Sequence, residues 1–74
     1  MLYNVKQYNL NTLTASLDMH IIANAKPYSE AHKIMVGAMN TFSDAGWYIH
    51  RCVGDLLEVS KGDERIKVIL KEIN

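Results

Sequence analysis

The sequence predicts an α+β domain: an antiparallel sheet of about five strands, in the order ββαβββ, with one amphipathic helix packed on one face. Three observations carry that expectation. Between Ser29 and Gly46, the residues Ala31, Ile34, Met35, Ala38, Met39, Phe42 and Ala45 recur at the spacing of one helical face, with Glu30, Lys33, Asn40 and Asp44 on the other side. The segments before and after this helix alternate in polarity or are rich in β-branched and aromatic residues, which is strand sequence. Glycine, asparagine and aspartate fall between those segments at turn spacing. A helix with one apolar stripe must bury it, and a sheet is what the rest of the chain offers.

Leu2 to Tyr8 reads as a first strand through Tyr3, Val5 and Tyr8, and Asn9 to Thr12 supplies turn chemistry, because asparagine tolerates positive φ and bonds its own backbone. From Leu13 to Ala23 the alternation is strong. It places Leu13, Ala15, Leu17, Met19, Ile21 and Ala23 on a buried face and Thr12, Thr14, Ser16, Asp18 and His20 on a wet one, with Ile22 continuing the wet series. These two strands are expected to form an antiparallel hairpin. Pro27 fixes the start of the helix, either in its first turn or just before Ser29 as the cap, and Gly46 stops it. Trp47 to Val53, Leu56 to Ser60 and Arg65 to Ile73 are the remaining strands, joined by Gly54-Asp55 and by Lys61 to Glu64. Gly37 inside the helix costs up to ~1 kcal/mol relative to alanine, so close packing or tolerance must account for it.

At 74 residues the chain is a single domain, 1–74, and a domain of this size buries only ~60% of its unfolded surface. A hydrophobic share of 49% argues for a globular chain rather than a disordered one. The 8 basic and 8 acidic residues cancel, and they also balance within residues 1–46 and within residues 47–74. A nucleic-acid binder that works by neutralising phosphates is expected to show a basic excess or stripe, and a nucleic-acid mimic to be strongly acidic; the sequence reads as neither. Cys52 is the only cysteine, which precludes an internal disulfide and suggests a reducing compartment, the cytoplasm. Aliphatic runs of about three residues are too short for a membrane helix or a secretory core, so no membrane partner is expected. Beginning at Met1 with strand sequence, the chain reads as complete.

No constellation for catalysis, metal binding or a cofactor stands out. His20, His32 and His50 fall on three different elements, whereas a zinc site needs ligands at close recurrent spacing. His50 and Cys52, two apart on one strand, would share a face and form a two-ligand start or a nucleophile pair, but nothing at Cys52 activates a thiol. Asp18 and Glu58 would form a carboxylate pair only if the second and fourth strands adjoin. The four glycines are isolated and make no phosphate loop. The tyrosines and Trp47 are placed at strand ends and beside the helix rather than on the wet face, and Trp47 is expected to close the core at the helix-strand corner. The expected function is therefore binding without catalysis, and one helix covering one side of the sheet leaves the other side as the contact surface. Its expected members are Arg65, Lys67, Ile69 and Lys71 from the last strand, His20 and Ile22 from the second, and Leu56, Glu58 and Ser60 from the fourth. A small nucleic-acid-binding module using the basic side of the last strand fits this surface, and so does pairing of sheets or edge strands in a homodimer.

Ile21-Ile22-Ala23-Asn24-Ala25 followed by Ser29-Glu30-Ala31-His32-Lys33-Ile34 resembles the leading ββα unit of small phage and mobile-element proteins. With three strands after the helix, the pattern is similar to type I-F anti-CRISPR proteins. That resemblance implies a phage-encoded, stoichiometric inhibitor in the host cytoplasm, bound to a host protein or ribonucleoprotein defence complex. Arg65, Lys67 and Lys71, with Lys6 or Lys26, would then make the contacts. The stretch Phe42-Ser43-Asp44-Ala45-Gly46-Trp47-Tyr48-Ile49 is also similar to HicA-type toxins, which are small ribonucleases. Their catalytic histidine follows soon after, where this chain reads Val53-Gly54-Asp55-Leu56-Leu57, so that activity is not expected here.

Overall fold

A computed structural model describes residues 1–73. It contains β1 (Leu2–Asn11), β2 (Ser16–Pro27), α1 (Tyr28–Asp44), β3 (Tyr48–Val53), β4 (Leu56–Lys61) and β5 (Glu64–Ile73). The strands form one antiparallel sheet in the order β2-β1-β5-β4-β3, so the α+β class and the ββαβββ order expected from the sequence are those observed. The hairpin β1–β2 and the meander β3–β4–β5 are joined along β1 and β5. This leaves β2 and β3, the two strands flanking the helix in sequence, at opposite edges. The helix must therefore cross the sheet. Its 17 residues span about 25 Å, enough to bridge five strands spaced about 4.8 Å apart, and it touches all five.

Ala31 and Met35 from α1 are fully buried against Val5, Leu57, Val59, Val68 and Leu70 of the central strands, with Ile34, Ala38, Met39, Phe42, Ile49, Cys52 and Ile66 packed around them. Ala45, the last member of the predicted stripe, is exposed beyond the end of the helix. Pro27 is the N-cap and supplies no side-chain hydrogen bond, so the helix opens one residue before Ser29. Its other end is held more firmly. Gly46, at φ 86°, donates its N–H to the Ser43 carbonyl at 3.1 Å, and Trp47 donates to the Phe42 carbonyl at 2.9 Å, the paired bonds of a Schellman stop. The Trp47 ring then meets Phe42 edge-on at 5.1 Å, closing the core at the corner where the sequence places it. The last turn of α1 holds no basic residue, and Lys61 of β4 supplies the missing cation, its Nζ donating to the Ala45 carbonyl at 2.8 Å. Around Gly37 the space for a Cβ is open, so tolerance rather than close packing accounts for it.

The first hairpin departs from the expected boundaries. β1 runs on to Asn11, and the turn is Thr12 to Ala15. The Asn11 side-chain oxygen accepts the N–H groups of Leu13 and Thr14 at 3.0 and 3.1 Å, and Ala15 takes the left-handed conformation at φ 56°. Thr12 donates its N–H and its hydroxyl to the Asp63 carbonyl at 2.8 and 3.0 Å, pinning this turn to the β4–β5 turn.

The faces of β2 also differ from the expectation. Leu17, Met19 and Ile21, expected in the core, are 63%, 46% and 47% exposed, and Leu13 and Ala15 lie in the turn. The register shows why. Leu17, Met19 and Ile21 sit opposite Leu10, Tyr8 and Lys6 of β1, whereas the β1 residue in the core is Val5, on the alternate face. A bulge inserts one residue between the Lys6–Ile21 and Val5–Ala23 pairs, and beyond it Ala23 turns toward the helix and packs against the core. No helix among the described residues is long and apolar enough to cross a membrane.

Candidate functional site

Because α1 covers one side of the sheet, the other side is open, and the ladder registers fix its membership. Leu2, Asn4, Lys6, Tyr8 and Leu10 of β1 lie opposite Ile73, Lys71, Ile69, Lys67 and Arg65 of β5. Leu56, Glu58 and Ser60 of β4 pair in turn with Ile69, Lys67 and Arg65, and on β3 Val53, Arg51 and Tyr48 pair with Leu56, Glu58 and Ser60. Leu17, Met19 and Ile21 complete the face at the β2 edge.

Charge is distributed unevenly between the two sides. Lys6, Arg51, Arg65, Lys67 and Lys71 are on the open face with one acid, Glu58, which leaves an excess of four cations in a chain whose total is zero. Glu58 lies between Lys67 and Arg51 in the ladder. Asp18, Glu64 and Glu72, by contrast, pair in register with Asn9, Asn11 and Tyr3 on the helix side. Two halves that are neutral along the sequence thus fold into two faces of opposite tendency. A sequence sum cannot show this, because strand alternation divides neighbours such as Lys71 and Glu72 between faces.

The face is also concave and partly aromatic. A groove of about 480 Å³ is lined by Tyr8, Leu10, Leu17, His50, Lys67 and Ile69, among others. His50 Nε2 is 2.6 Å from Ser60 Oγ, and its ring meets Tyr48 edge-on at 4.6 Å. Tyr8 pairs with Lys67 in the middle of the sheet, so its ring is on the open face, unlike the placement at a strand end expected from the sequence. Tyr3 and Tyr28 are engaged elsewhere. They meet edge-on at 5.3 Å near the start of α1, where Tyr28 also stacks on His32 at 5.7 Å.

Of the predicted contact residues, the structure brings Arg65, Lys67, Ile69 and Lys71 together on the open face. His20 is not with them: it pairs with Gln7, whose β5 partner is the buried Val68, and therefore points to the helix side. Ile22 is the extra residue of the β2 bulge, 43% exposed. Lys6 is on the face, while Lys26 pairs with Tyr3 on the other side. Arg51 and Tyr8, like Leu17, Met19 and Ile21, are members that sequence reasoning missed. Their signal is the register, since Arg51 reaches the face only through a shift in the β3–β4 ladder at His50.

That same shift separates His50 from Cys52. His50 bonds Ser60 on the open side, whereas Cys52 pairs with the buried Leu57 and packs against the core, so the two-apart pair does not share a face. Asp18 and Glu58 are likewise apart, on strands separated by β1 and β5 and on opposite faces. Among the described residues no group of three or more His, Cys, Asp or Glu side chains is placed to hold a metal ion.

One titrating group stands out at the edge of the helix layer. The Tyr28 hydroxyl is pushed above its ordinary value of 10.0, first by desolvation, then by the charge and the polar side-chain interaction of the nearby Asp55 carboxylate, and last by Tyr3. Asp55→Asn removes the two carboxylate contributions. The expected result is a Tyr28 titration shifted down toward 10.0 with the desolvation part retained, read from the ring NMR signals against alkaline pH. The raised value also fixes a sign: what this group contributes to stability is complete below its unfolded pKa and is lost as pH rises through the folded one.

Comparison of the chain with known protein families, with curated proteins and with solved structures finds no match.

Proposed function

We propose that this is a non-catalytic binding protein that works through the open face of its sheet and that the surface takes a single-stranded nucleic acid. The observation that carries the reading is the excess of four cations on one face of a chain of zero net charge. Arg65, Lys67 and Lys71 line the central strand β5, Lys6 lies beside them on β1, and Arg51 lies beyond Glu58 on the edge strand β3, which gives a cationic surface that can follow a phosphate backbone. Tyr8, Tyr48 and His50 lie on the same side and offer ring faces to unstacked bases.

A second reading rests on a different part of the face. Leu17, Met19 and Ile21 form an exposed apolar strip along the β2 edge, which a phosphate backbone leaves unused and a protein partner covers. A stoichiometric inhibitor of a host ribonucleoprotein defence complex, the role implied by the anti-CRISPR resemblance, would engage both strips.

The test is fluorescence anisotropy with labelled single-stranded RNA and DNA oligonucleotides over a range of salt. Three or four phosphate contacts give a log–log slope of about −2 to −3, so affinity falls roughly 20- to 50-fold between 50 and 200 mM salt. No binding at the lowest salt overturns the nucleic-acid reading. Capture of a ribonucleoprotein that survives nuclease treatment, and is lost when Met19 is made charged, supports the second.

A further inference from the structure

We infer that β2 is a self-association edge: two copies of the chain pair antiparallel through β2 about a two-fold axis at Met19, joining their sheets into one. The inference is independent of whether the cationic strip binds a nucleic acid.

The two edges of the sheet are built differently. β3 is short, its ladder is interrupted at His50, and it carries Arg51, all features that discourage a further strand from adding. β2 is longer, and from Ser16 to Ile21 its register with β1 runs without interruption. Over that stretch it has no proline, lysine or arginine, and its outer row of N–H and C=O groups faces away from the sheet. The devices that end pairing, the bulge after Ile21, the left-handed Ala25 and Pro27, all lie beyond it.

Within this stretch the side chains are self-complementary. Pairing centred on Met19 places Leu17 opposite the second copy's Ile21, and Met19 opposite its own equivalent, so the exposed apolar strips of the two copies become one. On the helix side the same register sets Asp18 opposite His20 of the other copy, twice by symmetry, and the imidazole N–H donates to the carboxylate. Centring on Asp18 instead sets carboxylate against carboxylate, and centring on His20 sets imidazole against imidazole while running the ladder into the bulge. Charge also excludes stacking of the open faces directly on one another, since each carries an excess of four cations.

Sedimentation velocity and light scattering over a concentration series test this on the intact chain. The expected mass rises with concentration from 8.4 kDa toward twice that value. His20→Asp sets like charges opposite each other at both symmetric positions and weakens association at least about tenfold. The exchange Asp18→His with His20→Asp restores it, because the pairing is regenerated with its members swapped. Met19→Lys, at a residue 46% exposed, abolishes association, with the thermal unfolding transition matching that of the parent chain diluted to its monomer. A monomer at every concentration overturns the inference, as does a dimer indifferent to Met19→Lys. If His20→Asp weakens the dimer and the exchange fails to rescue it, the Met19-centred register is overturned.

Discussion

Met35→Ala is expected to remove a large share of the protein's folding stability. Met35 is fully buried in α1, with no exposed surface, and belongs to the same core as Val5, Leu57, Val59 and Val68 of the strands beneath. Truncating a buried methionine removes its transfer free energy and leaves a cavity, together about 2–5 kcal/mol. A domain of 74 residues has a total of roughly 4–11 kcal/mol to lose. Among the described residues the buried core is seven residues, so neighbours have little freedom to fill the gap. Gly37→Ala, two residues along the same helix, moves the other way. A Cβ there meets nothing within 4 Å, and relief of the glycine entropy stabilises the helix by about 0.5–1 kcal/mol. Chemical denaturation of both variants, read by far-ultraviolet circular dichroism, checks the pair. A near-neutral Met35→Ala would mean that the helix does not pack on the sheet as described.

The helix was legible in the sequence because it reports one thing, a stripe at a period of 3.6 with Gly46 at its end, and the sheet below requires that stripe to be buried. The two-residue turns were legible for a similar reason: Gly54 and Gly62 both adopt positive φ, at 55° and 59°, which glycine adopts most readily. Strand faces were legible in β4 and β5, which lie inside the sheet and bury their helix-side residues. In β5 the alternation of Ile66, Val68 and Leu70 against Arg65, Lys67 and Lys71 has one solution, because the helix crosses that strand. In β2 the alternation is just as regular, yet the expected face is inverted. An edge strand of a five-stranded sheet under a single helix has little cover on either side, so apolarity no longer decides which way the strand turns. The bulge before Ala23 then lets one residue of the series reach the core while Leu17, Met19 and Ile21 stay outside. The charge asymmetry was hidden by the same alternation. It needs β1, β5, β4 and β3 in register before Lys6, Lys67 and Arg51 become neighbours of one surface, and the β1–β5 pairing joins residues more than fifty apart in sequence.

Reversing Lys67 and Lys71 together is expected to abolish nucleic-acid binding while leaving the fold intact. Both side chains are exposed on the central strand, and Lys67→Glu with Lys71→Glu takes the open face from five cations and one acid to three of each. The excess that attracts a phosphate backbone becomes zero. Each reversed contact costs binding about 1.4 kcal/mol or more, so the double variant loses at least about 100-fold in affinity at fixed salt. Losing two phosphate contacts also flattens the log–log salt dependence by about 1.4. Stability should barely move. Lys67 lies opposite Glu58 in the β4–β5 ladder, so its reversal sets one pair of like charges face to face, at a cost of a few tenths of a kcal/mol to about 1 kcal/mol. Lys33→Glu is the control. Lys33 is exposed on α1, the layer away from the open face, and its reversal changes the total charge without touching the strip. Equal losses in Lys33→Glu and in either β5 single variant would show that total charge, not the face, governs binding. A double variant that fails to fold would overturn the assignment of Lys67 and Lys71 to the solvent side, and with it the geometry on which the binding surface rests.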